Sequence, residues 1–264
     1  MRPNSVKQKW REGKVTLGGW LSIPSTYSAE IMAHQGFDWL CIDTQHGLID
    51  YTFAVPMLQA ISTTDTIPFV RVPWNEPSII MKYLDAGAYG IIVPMVNSRA
   101  EAERAVAACR YPPDGIRSFG PNRVTYYAGR DYATGANEEV ACVVMIETAE
   151  ALVNLDEILS VPGVDAAYIG PADLSLALGL PPRGDNDDPR HVAAVAQIRE
   201  ACLRHGVVPG IHTGGAAFAA GCARQGFKMI LLTSDTAGLL RGAAQELAAM
   251  HGVVAELGQG GIYG

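Results

Sequence analysis

The sequence predicts a single α/β domain folded as a TIM (β/α)8 barrel, and three observations support that fold class. Short apolar segments of four to six residues alternate with stretches of helical pattern from one end of the chain to the other. The segments are apolar at almost every position, which is typical of parallel strands buried on both faces. Eight such strand and helix units in 264 residues fit a closed barrel better than an open doubly wound sheet.

The predicted elements follow one another in a regular order. The strands are Leu17–Leu21, Trp39–Ile42, Phe69–Val72, Gly90–Val93, Ala141–Ile146, Ala166–Ile169, Val207–Ile211 and Met229–Leu232. The clearest helices are Ser25–Gln35, Ser78–Ala86, Arg99–Cys109, Pro189–Arg204, Ala216–Gln225 and Ala237–His251. Five of these helices end next to a glycine, in HQGFD, DAGAYG, RHGVV, RQGFK and MHGVV, as helices commonly do.

The chain has no segment with the composition of a linker between domains. We therefore expect one domain over residues 1–264, with a lead-in at 1–14 and a tail at 252–264. The final residues QGGIYG are expected to be mobile or to take part in assembly. The segment Tyr111–Asn137 is rich in Gly, Pro and Tyr, and we expect a lid or an interface element there because long loops in compact domains are usually functional.

Composition limits the partners. The formal net charge is −7, the isoelectric point is near 5.3 and the 20 Lys and Arg residues are scattered, which argues against nucleic acid or an anionic membrane surface as a partner. No apolar run approaches the ~18 residues of a membrane span, and the amino terminus has no signal-peptide core. The five cysteines are widely spaced and form no C-x-x-C motif, so we expect a cytoplasmic protein that acts on small molecules.

Polar side chains stand at or just after the ends of five predicted strands. They are Asp43, His46, Arg71, Glu147, Asp173 and His212. In a barrel the carboxyl ends of all strands lie on one rim, and that rim carries the active site. We therefore expect these residues to lie together although they are far apart in the chain.

The lysines are badly placed for a Schiff-base aldolase, which needs an amine inside the barrel near the end of a strand. They are Lys7, Lys9, Lys14, Lys82 and Lys228. The first three precede the barrel, the fourth lies on a helix, and the last begins the eighth strand at the wrong face. The sequence therefore argues against Schiff-base chemistry.

Glu147 and Asp173 follow neighbouring strands, so their carboxylates could approach one cation, and without a cation they would repel each other. Two carboxylates without a cysteine or a histidine triad select a hard ion, Mg²⁺ or Mn²⁺. Each acid alone also has a structural explanation, Glu147 as a surface or capping residue and Asp173 as an acid favoured by a helix dipole. Their joint placement with Arg71 and His46 favours a shared functional site.

The segment Gly170-Pro171-Ala172-Asp173 fits the start of a helix that binds an anion. Gly170 permits close approach, and Pro171 suits a first helical position because no N–H is needed there. The free N–H groups of Ala172 and Asp173 then point to a place where a carboxylate would bind. A 2-oxo acid suits this arrangement, with its carboxylate on the amides and its keto oxygen on the metal.

Six segments together resemble the HpcH/HpaI aldolase family, which includes metal-dependent aldolases of 4-hydroxy-2-oxoheptanedioate and 2-dehydro-3-deoxyglucarate. They are DTQHG, RVPWNEP, LDAGAYGIIVPMV, YPPDGIRSFG, MIETAEALVNLDEIL and IGPADLS. The resemblance covers the chain from about Gly18 to Leu240, and the pair IET and IGPADLS is its most specific part.

The resemblance implies that Glu147 and Asp173 are the metal ligands, with Mg²⁺ or Mn²⁺ preferred and Co²⁺ as a further choice. It also implies that Gly170 and Ala172 bind the substrate carboxylate. The assembly it implies is a homohexamer, a trimer of dimers.

The same resemblance implies that Arg71 contacts the keto or enolate oxygen and that His46 is the acid–base residue, with Asp43 and Asp85 in its hydrogen-bond network. The implied reaction is cleavage of a 4-hydroxy-2-oxo acid to pyruvate or hydroxypyruvate and an aldehyde through a metal-stabilised enolate, and the reverse addition. Arg71 would add positive charge where the oxyanion develops, and His46, with an ordinary pKa near ~6.5, suits proton transfer.

Three residues depart from the family pattern. Met145 stands where many members carry Gln, and Arg123 is not spaced as in the heptanedioate enzymes, which puts recognition of a distal carboxylate in doubt. His212 replaces a residue that is commonly apolar, and it is either a substrate-specificity contact or an incidental rim residue. Asp235, after the eighth strand, is expected to be a helix cap.

Three alternatives remain open at this point. An acyl-CoA carbon–carbon lyase of the citrate-lyase β-subunit type would need a basic entrance that the loops do not offer. A non-catalytic barrel that binds a 2-oxo acid would be expected to lose one of the rim residues. A phosphate site at Thr213–Gly215 and Thr233–Ser234 would suit a barrel, but its nearest arginines, Arg224 and Arg241, are expected to lie helical turns away.

Overall fold

A computed structural model describes residues 1–259 of the chain. Eight parallel strands close into a barrel in the order of the sequence, so the predicted fold class is confirmed. The strands are β1 Thr16–Leu21, β2 Trp39–Asp43, β3 Ile67–Arg71, β4 Gly90–Val93, β5 Ala141–Ile146, β6 Ala166–Ile169, β7 Val208–Ile211 and β8 Met229–Ser234. Predicted and observed strand ends differ by at most two residues.

The helices surround the barrel. They are α1 Ser5–Arg11, α2 Thr26–Ala33, α3 Tyr51–Ile61, α4 Pro77–Ala86, α5 Arg99–Cys109, α6 Val124–Ala128, α7 Tyr132–Glu139, α8 Ala149–Val153, α9 Leu155–Leu159, α10 Pro171–Ala177, α11 Pro189–His205, α12 Ala216–Arg224 and α13 Asp235–Gln259. Side-chain caps begin several of them, including a reciprocal capping box between Ser98 and Glu101 at α5.

Aromatic rings fill the barrel interior, and glycines on neighbouring strands make room for them. A Cβ at Gly18 would lie 2.1 Å from the ring of Trp39, and one at Gly90 would lie 2.0 Å from the ring of Phe69. The two rings contact each other, with centroids 5.7 Å apart. Because interiors are close-packed, any larger residue at Gly18 or Gly90 would displace an aromatic ring.

The predicted lead-in closes the amino-terminal end of the barrel. Trp10 of α1 is buried, its indole N–H donates to Thr16 Oγ1 at 2.9 Å, and its ring lies 6.3 Å from that of Phe69. Lys7 on the same helix is also buried and pairs with Asp165 at 2.7 Å. The first residues are therefore part of the core rather than an appendage.

The segment Tyr111–Asn137 lies at this same amino-terminal end, so within the described part of one chain it does not cover the active rim, and the alternative expectation of an interface element stays a prediction. It follows α5, which has already returned the chain to the starts of the strands, and it carries α6 and the beginning of α7. Tyr127 packs against Tyr89, the residue before β4, with ring centroids 5.2 Å apart. Arg117, almost fully buried, donates to Tyr132 Oη at 2.8 Å.

Helix α13 is longer than predicted and spans 25 residues. Its apolar side chains Leu239, Leu240, Leu247, Met250 and Val253 are all exposed. Of the terminal QGGIYG, only Gln259 is described, so the expectation for this tail lies outside the described residues. Within the described residues, the structure contains no helix with the length and apolar character needed to span a membrane.

Candidate active site

Neighbouring strands bring the predicted polar residues to one rim. The register pairs Asp43 of β2 with Arg71 of β3, and Ile169 of β6 with Ile211 of β7. The next residues after this second pair are Gly170 and His212. The positive charge of Arg71 lowers the pKa values of Glu147 and His212, and the negative charge of Asp173 raises the pKa of Glu147.

Arg71 and Asp43 form a buried two-point ion pair. Arg71 Nε donates to Asp43 Oδ1 at 2.9 Å and Nη2 donates to Oδ2 at 2.6 Å. Burial opposes ionisation of Asp43, but the bonds and charge of Arg71 more than compensate, so the pKa of this carboxyl is lowered. Both groups are therefore charged, and the guanidinium is fixed in one orientation.

Trp20, the last but one residue of β1, contacts both members of this ion pair. Its indole N–H donates to Asp43 Oδ2 at 3.2 Å, and the Arg71 guanidinium lies 4.9 Å from the centre of its ring. Sequence reasoning missed Trp20. The available signal was its position: a tryptophan next to the end of a strand otherwise rich in glycine and aliphatic residues.

Glu147 follows β5 and is almost fully buried. Its Oε1 accepts the backbone N–H of Met95 at 2.9 Å, and its Oε2 faces Gly170, where a Cβ would lie 2.3 Å away. Burial, reinforced by the negative charge of Asp173, raises the pKa of Glu147 to about 7. The carboxylate is thus held in place by the N–H of Met95 and is desolvated, and nearby positive charge does not fully compensate for its burial.

Met95 itself has a strained backbone, with φ of +56°. Non-glycine residues in this conformation cost free energy and cluster at functional sites. Here the strain aims the N–H of Met95 at Glu147. Sequence reasoning missed Met95 because a backbone donor leaves no trace in the residue type.

Helix α10 begins as predicted, with Gly170 before it and Pro171 at its first position. Asp173 lies in the first turn and is exposed. The N–H groups of Ala172 and Asp173 belong to the first turn, where an α-helix has no carbonyl partner for them.

Three residues from outside the predicted set fix the start of α10. Ser175 Oγ donates to Pro171 O at 2.7 Å, and Nε2 of His191 lies 3.2 Å from the same oxygen. Asn186 Nδ2 donates to Ser175 Oγ at 2.9 Å. These groups are buried, so the first turn of α10 is held rigidly.

The donor set at Glu147 and Asp173 fits a hard divalent cation. The negative charge of Asp173 contributes to the raised pKa of Glu147. Oxygen donors of this kind suit Mg²⁺ or Mn²⁺, which keep water or substrate oxygens in their remaining positions. Among the described residues there is no group of three or more His, Cys, Asp or Glu side chains able to hold a metal.

His46 lies on the loop after β2 with its side chain exposed. Its backbone N–H lies 3.4 Å from Asp43 Oδ1, and the N–H of Gln45 donates to the same oxygen at 3.1 Å. Asp43 therefore stabilises the loop that carries His46 by accepting hydrogen bonds from the backbone of that loop.

Among the residues predicted to form the site, Asp85 does not lie at the rim of its own barrel. It lies one residue before the end of α4, at the opposite end of the barrel, where Arg117 Nη2 donates to it at 2.7 Å. The expected bond network with His46 is therefore absent within the described part of one chain. The reason is geometric, since α4 runs antiparallel to the strands and ends near their starts.

His212 packs against the aromatic residues of the rim. Its ring meets that of Trp20 edge-on at 5.2 Å, and its Nδ1 lies 3.4 Å from the hydroxyl of Tyr168. Burial and the nearby charge of Arg71 lower the pKa of His212 to about 4, with Asp43 opposing. The imidazole is therefore neutral near pH 7.

The other singled-out residues lie as follows. Met145 is buried near Gly170. Arg123 donates to the carbonyls of Ala86 and Leu58 at helix ends, away from the rim. Asp235 lies in the first turn of α13, where it accepts from the backbone of Thr236 and also from the loop after β1.

The expectation that Arg241 lies far from the loops after β7 and β8 is wrong. Its Nη2 donates to Thr233 Oγ1 at 2.7 Å. The N–H of Gly214 is bonded to a carboxylate of the chain itself, Asp185 Oδ1, at 2.8 Å. Thr233 is thus bonded to a side chain of α13, and Gly214 to a side chain of the segment between α10 and α11.

Comparison with known proteins agrees with the geometry. A family model described as HpcH/HpaI aldolase/citrate lyase matches residues 16–241. A hydroxypyruvate/pyruvate aldolase of Rhizorhabdus wittichii is 46% identical over 245 residues, which cover 93% of this chain and 98% of that protein. A 4-hydroxy-2-oxo-heptane-1,7-dioate aldolase of Escherichia coli is 39% identical over 98% of this chain and 99% of its own length.

The fold also resembles that of a solved structure. The crystal structure of an HpcH/HpaI aldolase/citrate lyase family protein from Burkholderia cenocepacia has a TM-score of 0.88 and 36% sequence identity. The superposition covers 94% of this chain and 99% of that one.

Proposed function

The chain belongs to the HpcH/HpaI aldolase/citrate lyase family, and from that premise we propose that it is a divalent-metal-dependent aldolase. The reaction is cleavage of a 4-hydroxy-2-oxo acid to pyruvate or hydroxypyruvate and an aldehyde, together with the reverse addition. The relatives named as hydroxypyruvate/pyruvate aldolase and 4-hydroxy-2-oxo-heptane-1,7-dioate aldolase support this reaction class. The observation that carries the proposal is the buried Glu147 carboxylate, whose pKa is influenced by the charges of both Asp173 and Arg71.

Glu147 and Asp173 are the residues that would hold the cation, Mg²⁺ or Mn²⁺ with Co²⁺ as a further choice. When bound, the cation supplies a Lewis acid that polarises the keto group of the substrate. The N–H of Met95 fixes one oxygen of Glu147, and Gly170 leaves the space that the other oxygen needs.

Arg71 stabilises negative charge on the keto oxygen as the C3–C4 bond breaks. Its Nε and Nη2 each donate one N–H to Asp43, so the two N–H groups of Nη1 and the second N–H of Nη2 remain for the oxyanion. Because Asp43 and Trp20 hold the guanidinium in place, little reorganisation is needed when that charge develops.

His46 is the residue proposed to accept the proton of the 4-hydroxyl group and to return a proton to the enolate. Its loop position and exposure let it reach a substrate that enters from the open rim. Gly170 and the first-turn amides of Ala172 and Asp173 are proposed to bind the carboxylate of the 2-oxo acid.

Assembly and location form part of the same proposal. Family membership leads us to expect a hexamer built as a trimer of dimers. Self-association of some kind is also supported by α13, which exposes apolar side chains such as Leu240, 70% exposed in the single chain. A reducing, cytoplasmic location is supported by the five cysteines, all free and buried. Light scattering on a sizing column measures the mass of the assembly directly.

The test of the activity is proton NMR of pyruvate in D₂O with purified protein, first with Mg²⁺, then with Mn²⁺, and finally with excess EDTA. The proposal expects metal-dependent loss of the methyl signal, because forming the enolate exchanges the methyl protons. The control is the Asp173→Asn variant, which should not exchange. Failure of exchange with pyruvate and with hydroxypyruvate, under both metals, would overturn the aldolase; turnover of an acyl-CoA substrate would then identify a citrate-lyase type of reaction.

A further inference from the structure

His212 lies on the rim beside Gly170, one of the residues proposed to bind the substrate carboxylate. Its backbone N–H donates to Ile169 O at 3.2 Å, and the register of β6 and β7 sets it beside Gly170. Gly170 in turn contacts Glu147, where an added Cβ would lie 2.3 Å from Oε2. The imidazole therefore stands on the wall next to the proposed carboxylate and metal site.

Two aromatic residues hold this imidazole in one orientation. Trp20 meets it edge-on at 5.2 Å, and Tyr168 lies 6.3 Å from it, ring centre to ring centre. Trp20 is itself fixed by its bond to Asp43 and by the guanidinium of Arg71. A ring held on two sides loses little further entropy when it binds a ligand.

The charge state of His212 defines what it can recognise. Burial and Arg71 keep the ring neutral near pH 7, so it presents one donor and one acceptor nitrogen. Tyr168 lies on the Nδ1 side at 3.4 Å, which leaves Nε2 for a ligand. A neutral imidazole matches a hydroxyl group, which also donates and accepts, better than it matches a carboxylate or a methyl group.

We propose that His212 is a specificity residue of this site, which hydrogen-bonds a hydroxyl group either on the reacting carbon of the donor or on the carbon next to the reacting carbon of the aldehyde. The inference rests on the proposed aldolase function and deepens it. The substrate class is hydroxylated: hydroxypyruvate in place of pyruvate as donor, or a 2-hydroxyaldehyde such as glycolaldehyde as acceptor. A substrate with a methyl group at that place leaves a polar nitrogen of the ring unpaired in a desolvated site, which is the source of the discrimination.

The experiment compares wild type with His212→Phe, which keeps an aromatic ring and removes both nitrogens. Rates of aldol addition are measured for pyruvate and for hydroxypyruvate, each with acetaldehyde and with glycolaldehyde. His212→Phe should lower kcat/KM for the hydroxylated partner about tenfold or more relative to its non-hydroxylated analogue. The partner whose ratio changes, donor or aldehyde, identifies which hydroxyl His212 binds.

The matched control is His212→Gln, because its amide nitrogen stands near the position of Nε2 and should restore much of the lost preference. Exchange of pyruvate methyl protons is measured in the wild type and in both variants, so that each substrate ratio is compared with the rate of enolate formation in the same protein. Equal rate losses for all four substrate pairs, or unchanged ratios in His212→Phe, would overturn the specificity role. Absence of exchange in the wild type would instead overturn the aldolase function itself.

Discussion

Gly170 lies so close to Glu147 that a Cβ at residue 170 would stand 2.3 Å from Glu147 Oε2. Contacts this short are not found in proteins, so either the carboxylate or the start of α10 must move in any larger variant. A side chain at residue 170 would therefore disturb both the proposed metal ligand Glu147 and the proposed carboxylate site at the start of α10.

Gly170→Ala should therefore displace the Glu147 carboxylate and weaken binding of Mn²⁺. We expect proton exchange at fixed Mn²⁺ to fall by about 100-fold, because a shift of about 1 Å in a catalytic group has costs of this size. Calorimetric titration with Mn²⁺ and the pyruvate exchange assay measure the two effects. Gly221→Ala is the matched control, since a Cβ there meets nothing within 4 Å; equal behaviour of the two variants would contradict the argument.

Asp43→Asn should destabilise the fold as well as the site. It leaves the buried guanidinium of Arg71 without its charged partner, which costs about 3 kcal/mol of unfolding free energy. Denaturant titration measures the loss. The exposed pair of Arg99 and Glu103, with nitrogen and oxygen 2.8 Å apart, supplies the control: Glu103→Gln should cost at most about 0.5 kcal/mol, and a similar loss in both variants would refute a special role for the Asp43 pair.

Glu147→Gln and Asp173→Asn should each abolish proton exchange, because each removes one oxygen ligand of the proposed cation. In EDTA at pH 8 the Glu147→Gln protein should melt at a higher temperature than the wild type. The pKa of Glu147 is raised to about 7, so its ionisation above that pH opposes folding when no cation is present. Full activity of either variant at limiting metal would show that the ligands are elsewhere.

His46→Ala should still bind Mn²⁺ and pyruvate, because its side chain is exposed and is not one of the proposed metal ligands. Proton transfer should be lost, with a fall of about 100-fold or more in exchange rate. Binding is followed by calorimetry and exchange by NMR on the same samples. Retained exchange would assign the acid–base role to another group.

The lowered pKa of His212 predicts a loss of stability on acidification. The folded-state pKa is about 4 against an ordinary value of 6.5, so between these values the unfolded chain binds a proton that the folded chain does not. Stability should therefore fall as pH drops from 6.5 to 4, by at most about 3 kcal/mol from this residue. The difference between wild type and His212→Phe in denaturant titrations across this window isolates the contribution, and parallel pH curves would contradict it.

The barrel could be predicted because its pattern is local. Segments such as Trp39–Ile42 and Ala141–Ile146 are apolar throughout, and burial on both faces of a parallel strand requires that composition. The grouping of the polar residues at one rim could be predicted from the same pattern, because the carboxyl ends of parallel strands lie at one end of a barrel whatever their side chains are. Asp43, Arg71, Glu147 and His212 could thus be grouped before any contact was known.

The direction and support of these groups depend on residues distant in the chain. The strained N–H of Met95 reaches Glu147 across 52 positions of sequence, and Trp20 reaches Asp43 across 23; neither contact has a local signature. Asp85 and the segment Tyr111–Asn137 lie at the other end of the barrel because α4 and α5 carry the chain back to the starts of the strands. Periodicity in a sequence reports which faces are buried, whereas the partners that position a buried charge are chosen by packing in three dimensions.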